Sequence, residues 1–406
     1  MSRGTALAHL RAVAAELRVP VAVVLTSFEP GGTERQMTEL IRRLDPKRFR
    51  IHVACFRREG AWLPRAAAAA EEIAEFRARS FKSAAMLSTI RDVAAWLRAR
   101  DVAVLQACDL AANIVALPAG ALAGVPVRIG ARRELAPPDK TRAHLLVQRL
   151  AYRTAHRIVA NSNAGADRLR DEGVPNRKIA IIPNGIDLSG YRPAGPRDRR
   201  RIVATVANLR PEKGHDVLLR AAALVRRQVP DIRFRLIGGG PEQAALRALA
   251  NTLRVADIVE FLGHREDVPT LLADADVFAF PSRTEAFPNG LIEAMAAGLP
   301  VVTSAVGGML ELIEHDRNGL LVPAGDEHAL AAAIINVIGR ESRADALGDA
   351  ARATIESRYS FERMVASFTD LYCTELAARA PKAMAERRRL AAAHAASHAG
   401  TPASAS

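Results

Sequence analysis

Eleven apolar runs of strand length, separated by stretches of helical period, constrain what this 406-residue chain can fold into. Six precede residue 190: VPVAVVLTSF (19–28), FRIHVACF (49–56), VAVLQAC (102–108), PVRIGAR (126–132), RIVANS (157–162) and KIAIIPNG (178–185). Five follow it: RIVATVANL (201–209), IRFRLIGGG (232–240), VEFLG (259–263), DVFAFPS (276–282) and PVVTSA (300–305). Runs that are apolar throughout belong to strands covered on both faces, and the intervening helices supply that cover, so parallel sheets follow. Between the two series, SGYRPAGPRDRRR (189–201) combines two prolines, two glycines and a basic cluster, which reads as a linker. The expectation is an α/β chain of two doubly wound domains, 1–190 and 191–360, facing each other across a cleft. Open sheets of this kind bind ligands beyond their strand C-termini. Residues 361–390 read as C-terminal helices returning toward the first domain, and 391–406 as a disordered tail.

A chain of this length favours two cores over one. Hydrophobic residues at 49% and charged residues at 25% give a soluble globular profile, while aromatics at 4% disfavour a base-stacking surface. The formal net charge of +13 is unevenly placed: residues 1–190 hold 30 Lys and Arg against 18 Asp and Glu, whereas 191–406 hold 27 against 26. The first domain therefore carries nearly all of the basic field. Such a field suits an anionic membrane surface, phosphorylated lipids or nucleic acid, with a merely solubilising surface as the plain alternative. No recognition helix, zinc spacing or aromatic platform supports nucleic acid. Cys55, Cys108 and Cys373 are isolated, with neither metal spacing nor a disulfide framework, which points to a reducing, cytoplasmic setting. Arg3, Arg11, Glu16 and Arg18 interrupt any signal-peptide core. The run LAANIVALPAGALAGVPV (110–127) is broken by Pro118, Gly120, Gly124 and Pro126 and reads as helix, loop and strand, not as a bilayer span.

Three loops carry the chemistry. In TSFEPGGTERQMTELIRRL (26–44), Gly31 and Gly32 sit between a strand and a helix whose buried stripe is Met37, Leu40, Ile41 and Leu44. Missing Cβ atoms there admit a phosphate to backbone amides, or simply make a tight turn. Thr33 and Gln36 match a capping box. In VANLRPEKGHDVLL (206–219), Arg210 and Lys213 place two cations at a strand's C-terminal end, and Asp216 is placed to cap the next helix. In PSRTEAFPNGLIEAMAAGLPVV (281–302), Pro288 and Gly290 prevent one continuous helix from Glu285 to Glu293. Glu285 is thus expected on the strand-end loop and Glu293 in the first helical turn. The amides near Asn289, Gly290 and Leu291 are left for phosphate oxygens, and a first-turn carboxylate suits a ribose diol. Two acids around a diphosphate describe a sugar nucleotide.

These segments together resemble the retaining glycosyltransferases of the GT-B fold, family four, which contains many enzymes of bacterial polysaccharide and glycolipid assembly. GGTERQ resembles the family's N-terminal Gly-rich loop, and IVANSNAGADRL with KIAIIPNGID its interdomain crossing. LRPEKGHDVLL and LIGGGPE resemble its nucleotide segments, and Glu285 and Glu293 form its E-x7-E motif. The resemblance implies two Rossmann-like domains and transfer of a sugar, with retained anomeric configuration, from a nucleoside diphosphate to a glycan or phosphorylated lipid-linked acceptor. It implies that Lys213, with Arg210, pairs with the diphosphate, that Glu285 contacts the transferred sugar and that Glu293 holds the ribose. Backbone from Phe287 to Leu291 would grip the phosphates, with Gly31 and Gly32 closing over them. Arg265 falls near the base-binding segment. One departure stands out: many relatives have arginine where this chain has Asn208, and Arg210 would supply that guanidinium from another position.

Acceptors in this fold bind mainly the first domain, where Arg132 and Arg133 lie at a strand's C-terminal end. A place on the inner face of the plasma membrane would follow. No metal or other cofactor is implied: Asp274-Ala275-Asp276 spells a D-x-D, yet its neighbours fit a helix end and strand entry. A sugar-nucleotide epimerase, a sugar phosphorylase and a non-catalytic sugar-nucleotide-binding protein are the alternatives.

Overall fold

The computed structural model describes residues 18–77, 84–135, 142–191 and 200–381. Most of the expected linker, 192–199, and the expected tail, 391–406, lie outside these residues. The first sheet holds β1 (Val19–Leu25), β2 (Phe49–Cys55), β3 (Glu72–Glu75), β4 (Val104–Ala107), β5 (Val127–Arg132), β6 (Arg157–Ala160) and β7 (Ile179–Ile181). The second holds β8 (Ile202–Val206), β9 (Arg233–Ile237), β10 (Val259–Gly263), β11 (Val277–Phe280), β12 (Val301–Ser304) and β13 (Leu320–Val322). The strand orders are β3-β2-β1-β4-β5-β6-β7 and β10-β9-β8-β11-β12-β13, and every ladder in both is parallel. Each order reverses once, at β1/β4 and at β8/β11, which creates the two crevices where such sheets bind ligands.

The architecture follows from burial on both faces. In β1, Val21, Val23 and Leu25 join one core with Met37, Leu40 and Ile41, while Ala22 and Val24 join the opposite core with Val115, Leu117 and Tyr152. All eleven apolar runs contain a strand. The sequence reading missed β3 and β13, which are outermost in their sheets and only four and three residues long. The alternating, partly exposed EIAE of β3 offers no continuous apolar signal.

The helix Phe361–Arg379 lies in the core of the first domain through Phe361, Phe368 and Tyr372. The chain crosses between domains twice, side by side: Ile186 N–H donates to the Tyr359 carbonyl at 2.9 Å, and Phe361 N–H to the Ile186 carbonyl at 3.2 Å. Pro118 sits inside the helix Leu110–Ala123, which ends at Gly124 in the left-handed region, φ 75°. Among the described residues no helix is long and apolar enough to cross a membrane.

Candidate active site

At the β8/β11 crevice, the chain leaves β8 through a short turn, Pro211–Lys213, and enters the helix His215–Arg226. The helix is introduced by Gly214 and not by an Asp216 cap. Gly214 takes φ 68° and lies against the Pro281 carbonyl, where a Cβ would collide. The helix thus begins before Asp216, whose carboxylate is held instead by Arg283 at 2.8 and 2.7 Å. The same turn aims Lys213 inward. Its Nζ pairs with Glu285 Oε1, and the Ser282 hydroxyl donates to that oxygen at 3.0 Å. Glu285 is 7% exposed, so a buried carboxylate and a cation face each other where the strand ends.

The helix Asn289–Ala296 begins beside this pair without a side-chain cap. Its ladder begins with Ile292 N–H to the Pro288 carbonyl, so the amides of Asn289, Gly290 and Leu291 lie ahead of it. Those donors and the helix dipole make this end attractive to an anion. Gly290 is pressed against the Val206 carbonyl, an approach that only a residue without Cβ permits. The side chains of Phe287 and Leu291 are core. Glu293, expected in the first turn, stands one turn further in, because the helix already begins at Asn289 and its first turn holds no acid; it is 6% exposed.

The first domain meets this helix end directly. Gly32 opens the helix Gly32–Arg43, with Gly31 ahead of it, and a Cβ on Gly32 would strike the Asn289 side chain. The capping box does not form: Thr33 lies within the helix, and Gln36 holds the crossing segment. Gln36 Nε2 donates to the Gly185 carbonyl at 2.9 Å, and Gly185 N–H returns a bond to Gln36 Oε1 at 2.9 Å. Asn184 Nδ2 then donates to Asn289 Oδ1 at 2.8 Å. Gly32 and Asn184 thus meet Asn289 at the helix start, and the loop that carries Glu285 and its Lys213 partner leads into it.

Other expected residues stand elsewhere. Arg210 is exposed, 4.0 Å from Glu212, and lines a cavity of about 480 Å³ with His215, Glu242 and Arg283. Neither Lys213, Glu285 nor Glu293 lines that cavity. Arg265 is bound by Asp267 at 2.7 and 2.6 Å beyond β10, the outer strand of its sheet. Arg132 is not available to an acceptor. It is buried, bonded to Glu172 at 3.0 Å and to the carbonyls of Glu134 and Leu135. Arg133 faces the cleft floor, donating to Asn184 Oδ1 at 2.9 Å. Asp276 accepts from Ile202 N–H at 2.9 Å, and Asp274 ends the short helix Val268–Ala273.

The sequence reading missed three cross-domain residues. Arg35 pairs with Glu293, and Tyr191 interacts with both. Glu311 of the second domain takes the amides of Asn163 and Ala164, at 2.9 and 3.0 Å, at the start of the helix Asn163–Asp171. Arg35 lies inside GGTERQ, three residues beyond Gly32 and so on the same helical face; Glu311 has no local signal.

Beside Lys213 lies His215, buried with neither ring nitrogen bonded. Burial, aided by the Lys213 charge, pushes its pKa from 6.5 down to about 4. Between those values the unfolded chain takes up a proton that the folded chain refuses. Stability is therefore full above pH 6.5 and falls as the pH drops toward 4. Thermal melts from pH 7.5 to 4 should show this decline, and His215→Gln should make it shallower; parallel curves would remove His215 as a source.

Residues 192–354 match the family described as glycosyl transferases group 1, and residues 30–189 match Glycosyltransferase Family 4. The chain is 36% identical over 191 residues to a protein of Escherichia coli named as a colanic acid biosynthesis glycosyltransferase, WcaL, covering 44% of this chain and 47% of that one. It is 33% identical over 224 residues to a GDP-mannose-dependent phosphatidylinositol monomannoside mannosyltransferase of Mycobacterium tuberculosis, covering 50% and 58%. The chain thus spans about half the length of the curated relatives it matches. The crystal structure of Anabaena HepE with UDP and glucose superimposes with a TM-score of 0.79 at 25% identity, covering 88% of this chain and 100% of that one.

Proposed function

Because this chain belongs to the group 1, family four glycosyltransferases, we propose that it moves a sugar from a nucleoside diphosphate to a glycan or lipid-linked acceptor, with retained anomeric configuration. One observation carries this reading: Lys213, Glu285, Glu293 and the uncapped helix start at Asn289 converge at the β8/β11 crevice, opposite Gly31 and Gly32. The diphosphate sits between Lys213 and the amides of Asn289–Leu291, the ribose on Glu293 and the sugar beside Glu285. Bond cleavage leaves negative charge on the phosphate, and a fixed cation with oriented amides stabilises it most in the transition state. Arg210 adds a second cation on leaving Glu212, and Arg265 reaches the base on leaving Asp267. No metal enters this reading, since Asp276 already serves Ile202. The acceptor hydroxyl attacks from the face that the diphosphate leaves and gives that phosphate its proton.

The similarity to a GDP-mannose-dependent enzyme and to a UDP- and glucose-bound structure supports a sugar nucleotide and leaves the base open. A thermal-shift panel of UDP, GDP, ADP and their sugars tests it: one base should raise the melting temperature, and no shift with any overturns the reading. Acceptor-dependent release of the nucleoside diphosphate separates a transferase from an epimerase or a mere binder.

The proposed place is the cytoplasmic membrane face. On the helix Arg142–Thr154, Gln148, Ala151 and Tyr152 turn inward, while Leu146 and Leu150 are 59% and 49% exposed. Arg149 and Arg153 are exposed on the same face, and Lys178 adds a cation at the helix end by donating to the Tyr152 and Arg153 carbonyls. Leucines between cations suit an anionic lipid surface, which takes both the apolar side chains and the charge. Sedimentation with vesicles containing one anionic lipid in about three should carry the protein down, and the double variant Leu146→Glu/Leu150→Glu should weaken this about tenfold. Equal sedimentation of the two would remove this face from the account.

A further inference from the structure

Glu293, the carboxylate assigned to the ribose, already has a cation on it. Arg35 Nη1 of the first domain bonds Glu293 Oε1 of the second, and the Tyr191 hydroxyl, at the entrance to the linker, interacts with both. Burial alone would lower the Arg35 pKa, but the Glu293 charge and Tyr191 more than offset this and raise it. A ribose diol donates two hydrogen bonds to a carboxylate. The Glu293 side chain is only 8% exposed and already carries a guanidinium that is itself one-quarter exposed. A diol therefore competes with Arg35 for the little of that carboxylate that is open.

Helix geometry limits where that guanidinium goes. Arg35 lies three residues after Gly32, on one face of the helix Gly32–Arg43. Gly32 packs on Asn289, at the helix end assigned to the phosphates. A side chain freed from Glu293 stays beside that helix end, where a diphosphate would offer oxygens for paired N–H donors.

We propose that Arg35 is a donor-positioning residue that changes partner, holding Glu293 in the empty protein and passing to the diphosphate when ribose takes Glu293. The proposal rests on the sugar-nucleotide reading above. It has a specific consequence. A nucleoside without phosphates must break the Arg35–Glu293 pair and gives Arg35 nothing in exchange, whereas the diphosphate gives it a new partner. The exchange therefore reads the phosphates a second time, beyond their contacts with Lys213 and the helix start.

Calorimetric titration tests this with a nucleoside and its diphosphate (uridine and UDP, or the guanosine or adenosine pair, as the panel selects). The proteins compared are the unaltered chain, Arg35→Gln and Arg35→Lys. In Arg35→Gln the nucleoside should bind tighter and the diphosphate weaker, so that the ratio of the two dissociation constants shrinks about tenfold or more. Arg35→Lys, which keeps the charge without the planar fork, should fall between, and it carries the test alone if the glutamine variant does not fold. Equal shifts for both ligands, or none, would overturn the exchange and leave Arg35 a cross-domain structural pair. Failure of the unaltered protein to bind any diphosphate would instead overturn the underlying reading, and the exchange with it.

Discussion

Glu285→Gln lowers kcat about 1,000-fold while the dissociation constant of the nucleoside diphosphate stays within about threefold. The separation follows from where Glu285 stands. Its Oε1 takes the Ser282 hydroxyl and the Lys213 ammonium, so the carboxylate is fixed at the strand end and faces the position assigned to the sugar. Glutamine keeps the shape and can still accept from Ser282. What it lacks is the negative charge beside a sugar that becomes cationic as its bond to phosphate breaks. That loss is felt mainly in the transition state, so kcat falls and binding does not. Pre-steady-state turnover together with calorimetry on one preparation measures both. Unchanged turnover would remove Glu285 from the chemistry, and a parallel loss of affinity would reassign it to binding.

The second large effect is expected at Lys213. Lys213→Ala should lower kcat/KM about 1,000-fold, because the diphosphate loses its fixed cation in the ground state and more so as leaving-group charge grows. A stability effect accompanies it. Glu285 would be left buried without its cation, and an unpaired buried charge is costly, so Lys213→Ala alone should destabilise by about 1–3 kcal/mol. The double variant Lys213→Ala/Glu285→Gln removes that orphan charge and should melt above the single Lys213→Ala variant. Denaturant titration of all four proteins closes the cycle. Additive losses would mean that the two side chains do not act as a pair.

Much of this was legible because the determining signals are local. The unbroken apolar run of β1 requires a sheet covered on both faces, and the break at Pro288 and Gly290 requires a new helix start between two acids. What was not legible depends on partners far along the chain. Arg132 and Arg133 look equivalent in sequence, but adjacent residues at the end of a strand point to opposite faces. One meets Glu172 in the interior, and the other meets Asn184 at the cleft. Gln36 had the spacing of a capping residue, yet the backbone of Gly185, 149 residues away, offered both an acceptor and a donor. Asp216 failed as a cap for a backbone reason, since Gly214 in the left-handed region opens the helix first. Arg35 sits in the GGTERQ motif without a local partner, because Glu293 lies 258 residues on, in the other domain.

The central claim is that a sugar nucleotide enters the gap between the two sheets with its phosphates on Lys213 and the Asn289 helix start. A crystal structure of the protein with the sugar nucleotide that most raises its melting temperature tests this most directly. The account predicts ligand density at that helix start, with Lys213 turned from Glu285 to phosphate and Glu293 on ribose hydroxyls. Ligand bound at any other place, with the Lys213–Glu285 pair intact, would contradict it.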